Sequence, residues 1–126
     1  MTTPRATFRP HERINDPKDF RRAFDRKRSA SDERLIVYGV ENERGHPRLG
    51  ISISRKRVRR ANERNRVKRL IREAFRLSKA ELPAGLDLVV VPRSAELSFD
   101  HALLALPALA QAIARRIGPR AAKARP

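Results

Sequence analysis

The chain has 126 residues, 30 Lys and Arg against 14 Asp and Glu, a formal net charge of +16 and no cysteine. That length supports one domain with one modest core, and the missing cysteines exclude disulfides, Cys-based zinc sites and thiol catalysis. Self-repulsion at this charge opposes compaction and points to a polyanionic partner, with nucleic acid ahead of an anionic membrane surface.

Residues 1–15 are polar, rich in Arg and Pro, and read as a basic flexible arm. They hold no apolar run of the secretory type, and no segment approaches the roughly 20 apolar residues of a membrane span. A soluble, cytoplasmic protein is expected.

Asp16-Pro17 starts a helix, with Asp16 as cap, Pro17 at the first helical position and Asp19 in the first turn. The helix is expected to run to about Lys27. Phe20, Ala23 and Phe24 form its narrow apolar stripe. Arg34 to Val40 is rich in strand formers. Glu41 to Pro47 is a turn. In Arg48 to Ser54, Leu49, Ile51 and Ile53 alternate with Gly50, Ser52 and Ser54, the pattern of a strand with one buried face. The two strands read together as a β-hairpin with a longer loop.

A helix is expected from about Arg60 to Ala80, with Val67, Leu70, Ile71, Ala74, Phe75 and Ser78 on one side and a basic face opposite. Pro83-Ala84-Gly85 ends it. Leu86 to Pro92 is a short apolar run and predicts a central strand. Ser98 caps a last helix, Phe99 to about Ile117, in which Pro107 predicts a kink or break. Residues 16–117 thus form one α+β domain, a two-layer sandwich with a small central sheet packed against helices. Residues 118–126 read as a basic disordered tail. The sequence contains no internal repeat.

The strongest functional feature is basic. Arg55, Lys56, Arg57, Arg59, Arg60, Arg64, Arg66, Lys68, Arg69, Arg72, Arg76 and Lys79 face only Glu63 and Glu73 between Arg55 and Lys79. A solvated helix face usually mixes signs, because like charges at i,i+4 cost stability. A nearly single-signed face needs an external anion, and Arg forks onto phosphate and stacks on bases. Phe20, Phe24 and Tyr38 can stack unpaired bases; the pattern alone favours plain core packing for the two Phe. Ser52 and Ser54 lie on the polar strand face, open either to a nucleic-acid backbone or simply to water. His11, His46 and His101 sit in no motif, and Asp87 and Asp100 are isolated. No protein-borne active site is expected from them.

The stretch Arg64-Asn65-Arg66-Val67-Lys68-Arg69-Leu70-Ile71-Arg72-Glu73-Ala74-Phe75-Arg76 resembles the RNR signature of the ribonuclease P protein subunit family. Gly45 to Lys56 resembles that family's second strand and its exit, Asp19 to Phe24 its first helix, and Leu82 to Val91 its third strand. The resemblance covers about Arg13 to Ile117. The segment Arg57 to Glu63 is more basic than the Gly-containing version of many relatives.

The resemblance implies a ribosomal-protein-like α-β-β-β-α-β-α fold with a left-handed βαβ crossover, one strand more than the residues above supply. It implies that Arg64, Asn65, Arg66, Lys68, Arg69 and Arg72 contact the catalytic ribonuclease P RNA subunit. It implies that Phe20, Phe24 and Tyr38, with Ser52, Ser54, Arg55 and Lys56, bind the single-stranded 5′ leader of precursor tRNA. The endonuclease chemistry then belongs to the RNA, with Mg²⁺ ions held mainly by the RNA subunit and the substrate activating the attacking water; no catalytic residue and no metal site is assigned to the protein. The expected partners are the RNA subunit and precursor tRNA, with no DNA and no membrane. A non-catalytic ribosomal-type RNA-binding protein would explain the charge equally well, but not the three motif blocks together. A basic amphipathic protein on a membrane surface would need Val67, Leu70, Ile71 and Phe75 to face lipid, where a sheet uses them better.

Overall fold

The computed structural model describes residues 8–118. Along the chain lie a 3₁₀ turn at Pro10–Glu12, helix α1 at Pro17–Arg26, strands β1 at Ser29–Ser31, β2 at Leu35–Glu41 and β3 at Arg48–Ile51, helix α2 at Ala61–Ser78, a second 3₁₀ turn at Lys79–Glu81, strand β4 at Leu86–Pro92 and helix α3 at Phe99–Ile117. The order is α-β-β-β-α-β-α. The strand not foreseen from the residues is β1, three residues long, with too little alternation to register as a pattern.

The sheet order is β1-β2-β4-β3. β4 pairs antiparallel with β2 and parallel with β3, so β3, α2 and β4 make one crossover unit. This corrects the expected hairpin: β2 and β3 are not neighbours. β4 is buried at every position but Val91. A strand apolar on both faces gains most at the centre of a sheet, so β4 inserts between the two less apolar strands.

Leu35, Val37, Leu49, Leu86, Leu88 and Val90 face one side, where Val67, Ile71, Ala74 and Phe75 of α2 meet Ala102, Leu106, Ala110 and Ile113 of α3. Each large side chain buried there contributes roughly 1.5–3 kcal/mol. On the other face α1 lies across the sheet. Ala23 is buried against Val40 and Val89, with Phe20, Phe24 and Tyr38 at the margin. The Asp16 side chain caps α1 by accepting from the Lys18 N–H at 3.0 Å, and Lys27 ends it in the left-handed region at φ 56°.

Two further expectations need correction. The second half of the arm is not free. Ile14 is buried and its N–H donates to the Leu49 carbonyl at 2.9 Å, while Phe8 meets Phe75 edge-on at 5.3 Å. Residues 1–7 and the tail 119–126 lie outside the described residues. Of the kink or break expected at Pro107, the break does not occur: α3 runs unbroken from Phe99 to Ile117. Burial of Ala102, Leu106, Ala110 and Ile113 on both sides of the proline holds the two halves to one core. No helix among the described residues is long and apolar enough to cross a membrane.

Candidate nucleic-acid interface

The α1 face of the sheet is positioned by a buried acid. Asp87 of β4 is fully buried and points towards α1. Its carboxylate accepts from Arg48 Nε at 2.7 Å and Arg48 Nη2 at 2.6 Å. Asn42 Nδ2 donates to it at 2.9 Å and Arg22 Nη2 at 3.4 Å. Asp19 of α1 lies 3.3 Å from Arg48 Nη2. A buried carboxylate is tolerated only when paired and hydrogen-bonded, and these partners come from α1, the β2–β3 loop and β3. Asp87 is therefore the hub that ties α1 to the sheet, not the isolated residue its sequence context suggests. Hydrogen bonding to Asp87, working against burial, raises the Arg48 pKa still further above its ordinary value.

With α1 so fixed, Phe20 lies directly on β3. A Cβ at Gly50 would come within 2.9 Å of the Phe20 ring, so only glycine lets the ring settle there. Phe20, Gly50 and Leu49 then line a cleft with Phe8, Arg13, Ile14, Asn15 and Ile51, and with Lys68 and Arg72 of α2. Arg13 sits 4.7 Å over the Phe8 ring, a cation–π contact. No carboxylate lines this cleft. Further along α1, Phe24 meets Tyr38 edge-on, ring centroids 4.8 Å apart. Phe20, Phe24 and Tyr38 are all half-buried: they pack against the second core cluster and remain partly accessible.

The other expected residues divide. Ser52 follows β3, and its N–H donates to the Val90 carbonyl at 3.0 Å. Ser54 is occupied: its hydroxyl accepts from the Lys56 N–H at 3.0 Å, and its carbonyl accepts from Arg57 and Val58. This turn, anchored by buried Val58, leaves Arg55 and Lys56 exposed at its tip. Arg64 is also occupied, donating to the Val58 carbonyl at 3.0 Å and the Arg59 carbonyl at 2.8 Å. Asn65, Arg69 and Arg72 are exposed on α2, and Lys68 is half-buried at the cleft wall. Arg66 donates to the Ala95 carbonyl.

Arg13 and Asn15 line the cleft but were missed, because polar residues in an arm give no sign of docking by themselves. Phe8 and Ile14, bulky apolar residues in its second half, were the available signal. Two of the histidines come together, His11 and His46 meeting edge-on at 5.0 Å, while His101 lies 2.7 Å from the Asp32 carboxylate.

The model of the family described as Ribonuclease P matches residues 8–114. The chain belongs to the ribonuclease P protein family. The protein named "Ribonuclease P protein component" from Photorhabdus laumondii is 45% identical over 92 residues, 73% of this chain and 76% of that one. The one from Proteus mirabilis is 45% identical over 89 residues, 71% of this chain and 74% of that one. Among solved structures, the Staphylococcus aureus RNase P protein is similar at TM-score 0.69 and 31% identity, covering 80% of this chain and 94% of that one. The Thermotoga maritima RNase P protein is similar at TM-score 0.66 and 31% identity, covering 85% and 98%. A ribonuclease P protein component is by its name part of a ribonuclease complex, which implies an RNA partner for this family.

Proposed function

We propose that this chain is the cytoplasmic protein subunit of ribonuclease P, binding the catalytic RNA through α2 and the 5′ leader of precursor tRNA through the α1 face. The observation that carries this reading is that Phe20, on the leader side, and Lys68 and Arg72, on the RNA-subunit side, line one cleft. A single strand entering it meets an aromatic ring for a base and cations for the backbone. Arg55 and Lys56 extend the basic path beyond β3. Mature tRNA has no leader, so the cleft favours precursor over product. Cations on both sides also screen repulsion between the two RNAs and lower the Mg²⁺ needed for their association.

Mg²⁺ belongs to the RNA subunit and the substrate in this reading. No group of three or more His, Cys, Asp or Glu among the described residues is arranged to hold a metal ion. The protein's contribution is affinity, orientation and charge.

Reconstitution tests the proposal. Purified chain is added to a bacterial ribonuclease P RNA at low Mg²⁺, and 5′ cleavage of precursor tRNA is followed. Cleavage requiring both components is the expected result. Cleavage by the chain alone would overturn the assignment of chemistry to RNA. Tight RNA binding without stimulated cleavage would put the non-catalytic RNA-binding protein in its place.

A further inference from the structure

α2 presents arginines to a second groove, on the flank away from Phe20. It is an open apolar groove of about 420 Å³, lined by Arg66, Arg69, Leu70 and Glu73 of α2 and by Phe99 at the start of α3. Arg66 donates to the Ala95 carbonyl, which holds the segment leading to α3 against α2 and fixes the groove's width. Leu70 and Phe99 are only half-buried, although both pack on the main core. Glu73 is already paired with Arg76. Arg69 is exposed and has no hydrogen-bond or ion-pair partner among the described residues. The groove thus joins an aromatic ring and an aliphatic wall to a free guanidinium at its rim.

We propose that this groove receives one unpaired nucleotide of the ribonuclease P RNA subunit, its base against Phe99 and Leu70 and its phosphate on Arg69. The inference rests on the RNA-subunit role proposed for α2. Charge complementarity selects the occupant: on a chain of net charge +16, an apolar slot rimmed by arginine suits a group that carries both a flat apolar face and an anion. A nucleotide has both, since every base offers a π-face and every linkage a phosphate. The RNA subunit is chosen over the substrate because the groove lies on the opposite flank of α2 from the Phe20 cleft.

The chain contains no tryptophan, so Phe99→Trp installs a single reporter in the groove. Its fluorescence should be quenched on titration with ribonuclease P RNA and not with precursor tRNA alone. Phe99→Leu keeps apolar bulk and removes the ring. At unchanged melting temperature it should bind the RNA subunit roughly 5- to 150-fold more weakly, the range expected for one lost base stack. Wild-type affinity in Phe99→Leu, or quenching by precursor tRNA in place of the RNA subunit, overturns the proposal. If the unaltered chain binds no ribonuclease P RNA, the parent reading fails first and this one with it.

Discussion

Phe20 rests on Gly50 with no room for a methyl group between them: a Cβ at position 50 would stand 2.9 Å from Cε1 and Cζ of the ring and 3.2 Å from Cβ of Ile14. One ring thereby joins α1, β3 and the docked N-terminal segment. Gly50→Ala should push the ring outward and cost about 1–3 kcal/mol, the usual range for overpacking. Urea denaturation measures the loss. Precursor binding should fall with it, because the displaced ring narrows the cleft.

Phe20→Ala separates platform from core. If the ring stacks a leader base, precursor tRNA loses affinity by about 1–3 kcal/mol while mature tRNA is little affected. Parallel titrations with the two RNAs decide it. An equal loss for both returns Phe20 to a packing role.

Asp87→Asn should be severe. It leaves the Arg48 guanidinium, 7% exposed, with only the more distant Asp19 carboxylate at 3.3 Å; breaking a buried pair by removing one partner costs about 3–5 kcal/mol, and Asp19 offsets part of that. The double substitution Asp87→Asn with Arg48→Met should recover part of that stability, since the buried charge that Asp19 alone cannot fully compensate is gone. Recovery of stability without recovery of precursor binding would show that the pair also sets the placement of α1. No recovery in the double variant would refute the pairing argument.

The basic face should not respond uniformly to alanine. Arg69→Ala should reduce the salt slope of RNA binding by about one, as expected for one lost phosphate contact. Arg64→Ala should chiefly reduce stability, because this side chain closes two backbone carbonyls of the preceding turn. Charged hydrogen bonds of this kind contribute roughly 1.5–3 kcal/mol. Salt titrations and thermal melts on both variants distinguish the two roles.

Glu12 supplies a pH dependence. Burial raises its pKa, but the hydrogen bonds from Lys79 and from the Arg9 N–H outweigh burial and hold it below the ordinary carboxylate value. A carboxylate with a depressed folded-state pKa adds stability above its unfolded pKa and loses it as pH falls through the folded one. Glu12→Gln should therefore lower the melting temperature at neutral pH and close the gap to wild type in acid. A gap that stays constant with pH would show that the pair with Lys79 is not the source.

Local chemistry settled much of this protein in its sequence. The start of α1 follows from Asp16-Pro17, the ends of β4 from the apolar run Leu86–Pro92, and the start of α3 from Ser98. Each signal lies within a few residues of the feature it specifies. The single-signed basic face of α2 is equally local, because helical periodicity alone sorts Asn65, Arg69 and Arg72 from Val67, Ile71 and Ala74.

What the sequence could not carry was partnership across the chain. β2 and β3 look like a hairpin until β4, the strand able to bury both faces, takes the place between them. Asp87 looks isolated because Arg22, Asn42 and Arg48 reach it only once α1 and β3 are assembled. Arg64 and Ser54 look free until the turn at 54–60 uses their hydrogen bonds, and Phe8 and Ile14 look like part of a loose arm until α2 and β3 offer them a surface. Strand order, charge pairing in a buried site and the docking of a segment all depend on what else competes for the same partner, and that competition exists only in the folded chain.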